Sequence, residues 1–147
     1  MGYSHLFNTE ASLTNFRVIY DVPEDVEVAY GHEGNIALER HPQVVFFPLM
    51  AILEKGVKFP MDPLILRMLR FYGLSPNQLP PNFYQVMSYV SQLNQLYGLQ
   101  LDHHDINFMY SLCGNIRTDY YLQVRDVRLW LISCLPDSNK ISIGEYI

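Results

Sequence analysis

The chain contains 147 residues with a net charge of −5; 49% of the residues are apolar and 14% are aromatic. This composition excludes an intrinsically disordered chain, because the apolar residues can bury enough surface to offset the entropy lost on folding. The length suits one domain with a core and is short for two. We therefore expect residues 1–147 to form a single domain.

The charge is concentrated near the N-terminus. Residues 1–40 carry seven acidic and two basic side chains, a net −5, whereas residues 41–147 carry eight of each. Binding to duplex nucleic acid depends on Lys and Arg neutralising phosphates, so this distribution counts against a nucleic-acid partner. No apolar run approaches the roughly 20 residues of a membrane-spanning helix, so we expect no membrane partner.

The two cysteines, Cys113 and Cys134, are too few and too isolated for a disulfide framework. Each lies among apolar residues, which favours buried free thiols in a reducing compartment. The first residues lack the basic region and apolar core of a signal peptide. Leu6 stands where a myristoylation motif has Ser or Thr. We therefore expect an intracellular protein, in the cytoplasm or the nucleus.

The first 35 residues show a helical pattern, then an alternating one. Residues 9–20 are predicted to form a helix, with Thr9 or Ser12 as its cap. Apolar residues alternate over residues 21–30, which favours a short half-exposed strand. Residues 31–35 have the composition of a loop.

A second helix is predicted close to the middle of the chain. The apolar run at residues 44–47 fits either a buried strand or the start of a helix, and the spacing of the residues that follow favours a helix from Phe47 or Pro48. Proline is well placed in a first turn. Gly56 is predicted to adopt the left-handed conformation that ends such helices.

The strongest pattern of the sequence is a third helix with clear signals at both ends. Asp62 is predicted to be its N-cap, Pro63 its first residue and Gly73 its C-terminal cap. Arg67 and Arg70 mark the predicted solvent side. The predicted apolar face comprises Leu64, Ile65, Met68, Leu69 and Tyr72, with Leu66 and Phe71 adding to it.

Three more elements complete the predicted fold. After a capping box at residues 75–78, the longest helix is predicted over residues 82–97. Its predicted apolar face comprises Phe83, Val86, Met87, Val90, Leu93 and Tyr97, and its predicted solvent side comprises Ser88, Ser91, Gln92 and Gln95. A short helix follows from Asp102 to about Cys113. Residues 120–124 and 127–134 are then predicted to pair as a hairpin. The predicted class is mainly α, with four to five helices in compact antiparallel packing and a small C-terminal β-hairpin, α+β at the margin.

The spacing of these helix signals resembles one family, the gypsy-type transposon domain associated with plant long-terminal-repeat retrotransposons. The matching segments span roughly residues 13–140 and are Tyr20-Asp21-Val22-Pro23-Glu24, Gly56-Val57-Lys58-Phe59-Pro60, Leu74-Ser75-Pro76-Asn77-Gln78-Leu79, Pro81-Asn82, Tyr120-Tyr121 and Leu135-Pro136-Asp137-Ser138-Asn139-Lys140. The family's domain generally continues beyond this point, so the resemblance implies a chain truncated at its C-terminal end. It implies no catalytic residue and no cofactor.

The enzymes of mobile elements each require a motif that can be sought in this sequence. A transposase or integrase requires three carboxylates that bind divalent metal ions, whereas the acidic residues here lie in an early segment and at helix caps. A retroviral-type protease requires an Asp-Thr-Gly or Asp-Ser-Gly triplet, which is absent from the sequence. A zinc knuckle requires three cysteines and a histidine at close spacing. The resemblance to transposon proteins therefore carries no activity with it.

One cluster and one patch are the candidate sites. His103, His104 and Asp105 follow Asp102, but neighbouring helical residues point about 100° apart, so the two histidines are not an i, i+4 metal pair. Capping is the preferred role for Asp102. A small basic patch of Lys58, Arg67 and Arg70 is a second candidate, with a solvated face as the simpler interpretation.

Three functions are compatible with these residues. The preferred one is a non-enzymatic, retrotransposon-derived domain that interacts with protein partners or assembles with itself like a capsid protein. The second is a metal-dependent hydrolase or nuclease that uses the Asp102–Asp105 cluster. The third is a decayed open reading frame without a selected role.

Overall fold

The computed structural model describes residues 7–32, 45–114, 120–126, 128 and 145–146. Within these ranges helices dominate a mixed α+β fold, which confirms the predicted fold class. The helices are α1 (Glu10–Ile19), α2 (Leu49–Leu53), α3 (Pro63–Tyr72), α4 (Pro81–Tyr97) and α5 (His103–Met109). The strands are β1 (Gly31–His32), β2 (Tyr110–Gly114), β3 (Tyr120–Val124) and β4 (Glu145–Tyr146).

The first predicted helix is confirmed by α1, which Thr9 and Ser12 cap together. Each side-chain oxygen accepts a hydrogen bond of 3.2 Å from the backbone N–H of the other residue. The strand predicted over residues 21–30 is wrong. This segment bends instead, because the Arg17 guanidinium donates to the carbonyl oxygens of Pro23 and Glu24 at 2.9 and 2.7 Å.

The loop predicted at residues 31–35 needs a correction where the structure describes it. Gly31 pairs with Tyr146 and His32 with Glu145, so β1 and β4 form an antiparallel pair of two residues each. A strand requires a partner for its backbone groups, and this partner lies more than 100 residues away along the chain. Residues 33–35 lie outside the described residues.

Helix α2 starts later than predicted, with Pro48 as its N-cap and Leu49 as its first residue. Gly56 has a φ of 79°, as predicted for a left-handed position. The preceding residue, Lys55, offers its carbonyl oxygen to the Ser88 hydroxyl at 2.7 Å. Ser88 therefore links α4 to the end of α2, although the sequence pattern places it on the solvent side of its helix.

Helix α3 begins and ends where its signals predict. The Asp62 carboxylate accepts the Leu64 N–H at 2.7 Å, Pro63 is the first residue, and Gly73 has a φ of 64°. Leu64, Ile65, Met68 and Leu69 are buried. Two members of the predicted apolar face are exposed instead, Leu66 by 47% and Phe71 by 44%. Leu66 lies on the side of the helix away from the buried residues, whereas Phe71 lies at the edge of the buried face and is partly covered by the His103 and His104 rings of α5.

Helix α4 contacts α2, α3 and β3. It begins at Pro81, one residue before the predicted start, so Asn82 lies inside the first turn. Asn82 is buried, and its Nδ2 donates to the Leu122 carbonyl oxygen at 3.4 Å. Tyr97, predicted on the apolar face, is 71% exposed because the last turn of α4 extends beyond the core.

Among the described residues, the hairpin near the C-terminal end contains one strand that the sequence did not predict. Tyr120–Val124 is a strand as predicted, but it pairs with Tyr110–Gly114, from Tyr110 opposite Val124 to Gly114 opposite Tyr120. Helix α5 therefore ends at Met109 and does not continue to Cys113. The predicted partner, residues 127–134, lies outside the described residues apart from Arg128.

Arg125 provides the physical reason for this early helix end. Its backbone N–H donates to the Met109 carbonyl oxygen at 2.9 Å, and its Nε donates to the carbonyl oxygens of Asn107 and Tyr110 at 2.8 and 3.1 Å. The last carbonyl groups of a helix lack partners within the helix. A residue from the end of β3 thus supplies donors that the next turn of α5 would otherwise supply.

The core of the described residues is formed mainly by the inner faces of α2, α3 and α4, with one residue each from α1 and α5 and two from the hairpin strands. Tyr84 is fully buried, and its hydroxyl donates to the Pro76 carbonyl oxygen at 2.6 Å. Burial raises the pKa of Tyr84. The other large, fully buried side chains are Tyr110, Phe83, Leu49, Ile52, Met68, Leu79, Met87, Ile106, Val57, Val86 and Val90. Among the described helices, none is long and apolar enough to cross a bilayer.

Candidate functional site

The first turn of α5 contains the four residues that most resemble a chemical site. Asp102 is the N-cap, and its Oδ1 accepts the backbone N–H groups of His104 at 2.7 Å and Asp105 at 3.2 Å. Asp105 reciprocates, because its Oδ2 accepts the N–H of Asp102 at 2.9 Å. The hydrogen bonds from Asp105 and His104 lower the pKa of Asp102. Both carboxylates are therefore used to start the helix.

The two histidine rings lie closer together than their helical spacing indicates. The ring centroids of His103 and His104 are 4.0 Å apart, and they lie 5.5 and 6.1 Å from the Phe71 ring of α3. A separation of about 100° between Cα–Cβ directions does not fix rings that can rotate further along the side chain. Both rings turn towards the same aromatic surface. The pair therefore covers part of Phe71.

This arrangement supplies few of the parts that a catalytic centre needs. A general base of the Asp–His type needs a carboxylate hydrogen-bonded to the imidazole, whereas the carboxylates of Asp102 and Asp105 accept backbone N–H groups. The buried Nδ1 of His103 has no hydrogen-bond partner among the described residues. In the part of the chain that the structure describes, no three His, Cys, Asp or Glu side chains are placed to hold a metal ion.

An open depression beside α5, of about 640 Å³, contains His104 together with four residues that the sequence patterns do not single out. Its lining residues are His104, Asn107, Phe108, Arg125 and Asp126. Phe108 is 69% exposed. The charged residues are already engaged: Arg125 donates to backbone carbonyl groups, and Asp126 pairs with Arg128 at 2.7 Å. This ion pair lowers the pKa of Asp126 and raises the pKa of Arg128.

Tyr72 joins α3 to α5 at the inner side of this depression. Its hydroxyl donates to Oδ1 of Asn107 at 3.0 Å. Burial raises the pKa of Tyr72, with the Arg125 charge acting in the opposite direction. The phenol therefore stays protonated at neutral pH and acts as a hydrogen-bond donor. Cys113, predicted to be buried, is a free thiol that is only half-buried in β2, while Cys134 lies outside the described residues.

Two of the three residues of the predicted basic patch lie on the exposed side of α3. Lys58, Arg67 and Arg70 are all exposed. Arg67 and Arg70 are three residues apart on one helix, with Leu66 and Phe71 beside them, and these four residues are called the α3 outer face. Within the described residues neither arginine pairs with a carboxylate. Lys58 belongs to a separate segment, next to Phe59, whose N–H donates to the Tyr20 carbonyl oxygen at 3.3 Å.

A second exposed surface is formed by the end of α1 and the residues after it. Residues 18–27, called the acidic turn, contain Asp21, Glu24, Asp25 and Glu27, all exposed and without an ion pair in the described part of the chain. Val18, Ile19 and Val26 are exposed by 73%, 70% and 44%. The sequence locates the acidic charge, but only the structure shows that apolar side chains accompany it at the surface.

Comparisons of the chain with protein families, with curated proteins and with solved structures find no match.

Proposed function

We propose that this chain is a non-enzymatic assembly domain of a retrotransposon-derived protein, and that it works by associating with other copies of itself. The observation that carries the proposal is the grouping of exposed apolar side chains on the described surface. Isolated exposed apolar residues are ordinary in monomers, whereas grouped ones mark interaction sites. Here most of them form three groups, in the acidic turn, on the α3 outer face and at the end of α4, while Val45, Tyr89 and Phe108 lie apart.

The group at the end of α4 is the most exposed. Leu96 and Tyr97 are exposed by 75% and 71%, and Leu99, just past the helix, by 44%. The two helix residues lie on the last turn, where α4 extends beyond the core. Apolar surface of this kind gains free energy when a partner removes it from water, by about 25 cal/mol per Å². This supports a binding role for the domain.

The groups capable of chemistry are used structurally. Asp102 and Asp105 cap α5, and His103 and His104 pack against Phe71. Asp126 pairs with Arg128. These uses favour a domain that binds over one that catalyses. The retrotransposon origin is supported by the spacing of the helix signals that the resemblance rests on, above all Gly56, Pro76 and Pro81-Asn82.

Size-exclusion chromatography with light scattering, over a range of concentrations, tests the proposal. We expect the weight-average mass to rise with protein concentration and to remain unchanged when RNA is added. A mass of one chain at every concentration would overturn the assembly function. A mass that rises only in the presence of RNA would also overturn it, and would favour nucleic-acid binding.

A further inference from the structure

We propose that the α3 outer face binds the acidic turn of a second copy of this chain, which gives head-to-tail self-association. This inference rests on the proposed assembly function and identifies the two surfaces involved. The partner is inferred from charge complementarity: two exposed surfaces of one molecule carry opposite charge, and each includes apolar side chains.

In the described residues the α3 outer face is exposed, and the His103 and His104 rings of α5 cover only part of it, at Phe71. Its residues, at positions 66, 67, 70 and 71, are related by three- and four-residue steps, so they lie side by side. Leu66 and Phe71 are 47% and 44% exposed. Around the helix, Arg67 and Arg70 are placed between these two apolar residues. The opposite side of α3 is buried in the core.

The acidic turn is complementary to the α3 outer face in charge and, like it, exposes apolar side chains. Asp25 and Glu27 flank Val26, and Val18 and Ile19 add apolar surface at the end of α1. The turn is held in shape by Arg17, which donates to the carbonyl oxygens of Pro23 and Glu24 at 2.9 and 2.7 Å. A segment already held in one conformation loses less entropy on binding.

The two surfaces do not pair with each other in the described part of the molecule. They share no residue, and within the described part of the chain no ion pair joins them. A symmetric contact of α3 outer faces would bring four arginines together, and a contact between two acidic turns would bring eight carboxylates together. A head-to-tail contact brings opposite charges together. It leaves one surface of each kind free, so it continues into a ring or a filament.

Nucleic acid is the less favoured occupant of the α3 outer face. Two arginines supply few phosphate contacts. The chain carries a net charge of −5, and all of that net charge lies in residues 1–40, which include the acidic turn. The net negative field of the whole molecule therefore opposes the approach of a polyanion. The acidic turn of a second copy is attracted only through local contact with the two arginines.

Two charge-reversed variants test the inference. Arg67→Glu/Arg70→Glu makes the α3 outer face acidic, and Asp25→Lys/Glu27→Lys makes the acidic turn basic. All four residues are exposed, so both variants should keep the circular-dichroism spectrum of the wild type. We expect each variant alone to lose concentration-dependent association, whereas an equimolar mixture regains it because opposite charges meet again.

Two matched controls isolate the role of charge. Arg67→Lys/Arg70→Lys keeps the positive charge and should associate within about twofold of the wild type. Glu10→Lys reverses an exposed acidic residue in the first turn of α1, outside the acidic turn, and should also associate normally. Wild-type association should weaken as salt is raised, because exposed charges are screened beyond about 10 Å at 0.1 M ionic strength.

The outcomes separate this inference from the proposed function. If the wild type associates but the charge-reversed variants associate equally well, the surfaces are wrong and the assembly function stands. If both variants become monomeric but their mixture also stays monomeric, the two surfaces do not bind each other and the inference is overturned. If the wild type never associates, the assembly function itself is overturned.

Discussion

Helices α3 and α4 differ from the unit of α5 and the hairpin in what fixes their ends. Helix α3 starts at the Asp62 cap and stops at Gly73, and α4 stops at Gly98, which has a φ of 61°. Helix α5 starts equally locally, at Asp102, but it ends where Arg125 takes up its last carbonyl groups. A helix end can therefore be decided by a residue distant in sequence.

The two regions also differ in how much of each is buried. Helices α3 and α4 bury continuous inner faces, and Met68, Phe83, Met87 and Val90 are fully buried. The hairpin buries only Tyr110 and Leu122, and its other residues are half-buried or exposed. Because hydrophobic stabilisation follows the buried apolar area, the helix pair should be the more stable region. Two variants test this difference in stability, and a third tests the local cap at the start of α5.

The largest effect is expected in the helix pair, from Met68→Asp. The side chain of Met68 has no exposed surface, so the substitution buries a carboxylate without a partner. We expect a loss of more than about 4 kcal/mol in the free energy of unfolding, which is most of the stability of a typical domain. Circular dichroism during thermal melting measures it. Arg70→Ala, on the exposed side of the same helix, is the control and should melt close to the wild type. If Met68→Asp folds normally, Met68 does not lie in the core.

A smaller and more local effect is expected in the hairpin, from Leu122→Ala. Leu122 is buried, and the smaller side chain should cost about 2 kcal/mol. Hydrogen exchange should become faster in β2 and β3 than in α3 and α4. Gln123→Ala changes the neighbouring exposed residue and should leave exchange unchanged. Equal loss of protection in α3 and α4 would show that helix pair and hairpin unfold as one unit.

The smallest effect is expected at the start of α5, from Asp102→Asn, and it depends on pH. The pKa of Asp102 is lowered in the folded protein from its ordinary value of 3.8. The charged carboxylate therefore stabilises the fold at pH values above 3.8, and this stabilisation is lost as the pH falls through the lower pKa of the folded state. Asparagine also caps helices well but does not titrate in this range. The wild type should therefore melt at or slightly above the variant at neutral pH, and this advantage should shrink in acid. An advantage that is the same at both pH values would show that the carboxylate charge plays no part.

Local residue chemistry made several elements predictable. Thr9 with Ser12, Asp62 with Pro63, and Ser75 with Gln78 all form the predicted caps, since a cap depends on hydrogen bonds within about four residues. The strand at Tyr120–Val124 was also predictable from its β-branched and aromatic residues. Its pairing with Tyr110–Gly114 was not, because residues 110–113 continue the helical pattern of α5 and only contacts distant in sequence, such as those of Arg125, make them a strand.

The residues of the candidate site likewise include some that the sequence predicts and some that only the structure reveals. The sequence identifies Asp102 as a helix cap and places Arg67 and Arg70 on the solvent side of α3. It gives no sign that the rings of His103 and His104 both turn to Phe71, because side-chain rotation responds to neighbours from another helix. Phe108 and Arg125 were missed for a related reason. Their importance comes from exposure and from contacts across the hairpin, and neither leaves a local motif.

The sequence by itself determined where α1 and α3 start, where α3 and α4 stop, and that the surplus acidic charge lies in residues 1–40. Each of these properties depends on residues close together in the chain. Tertiary structure decided the partner of β3, the end of α5, and the exposure of Leu66 and Phe71 next to two unpaired arginines. The arginines are unpaired as far as the described residues show. All of these properties depend on which elements meet, since a buried or exposed position is defined only by the neighbours that cover it.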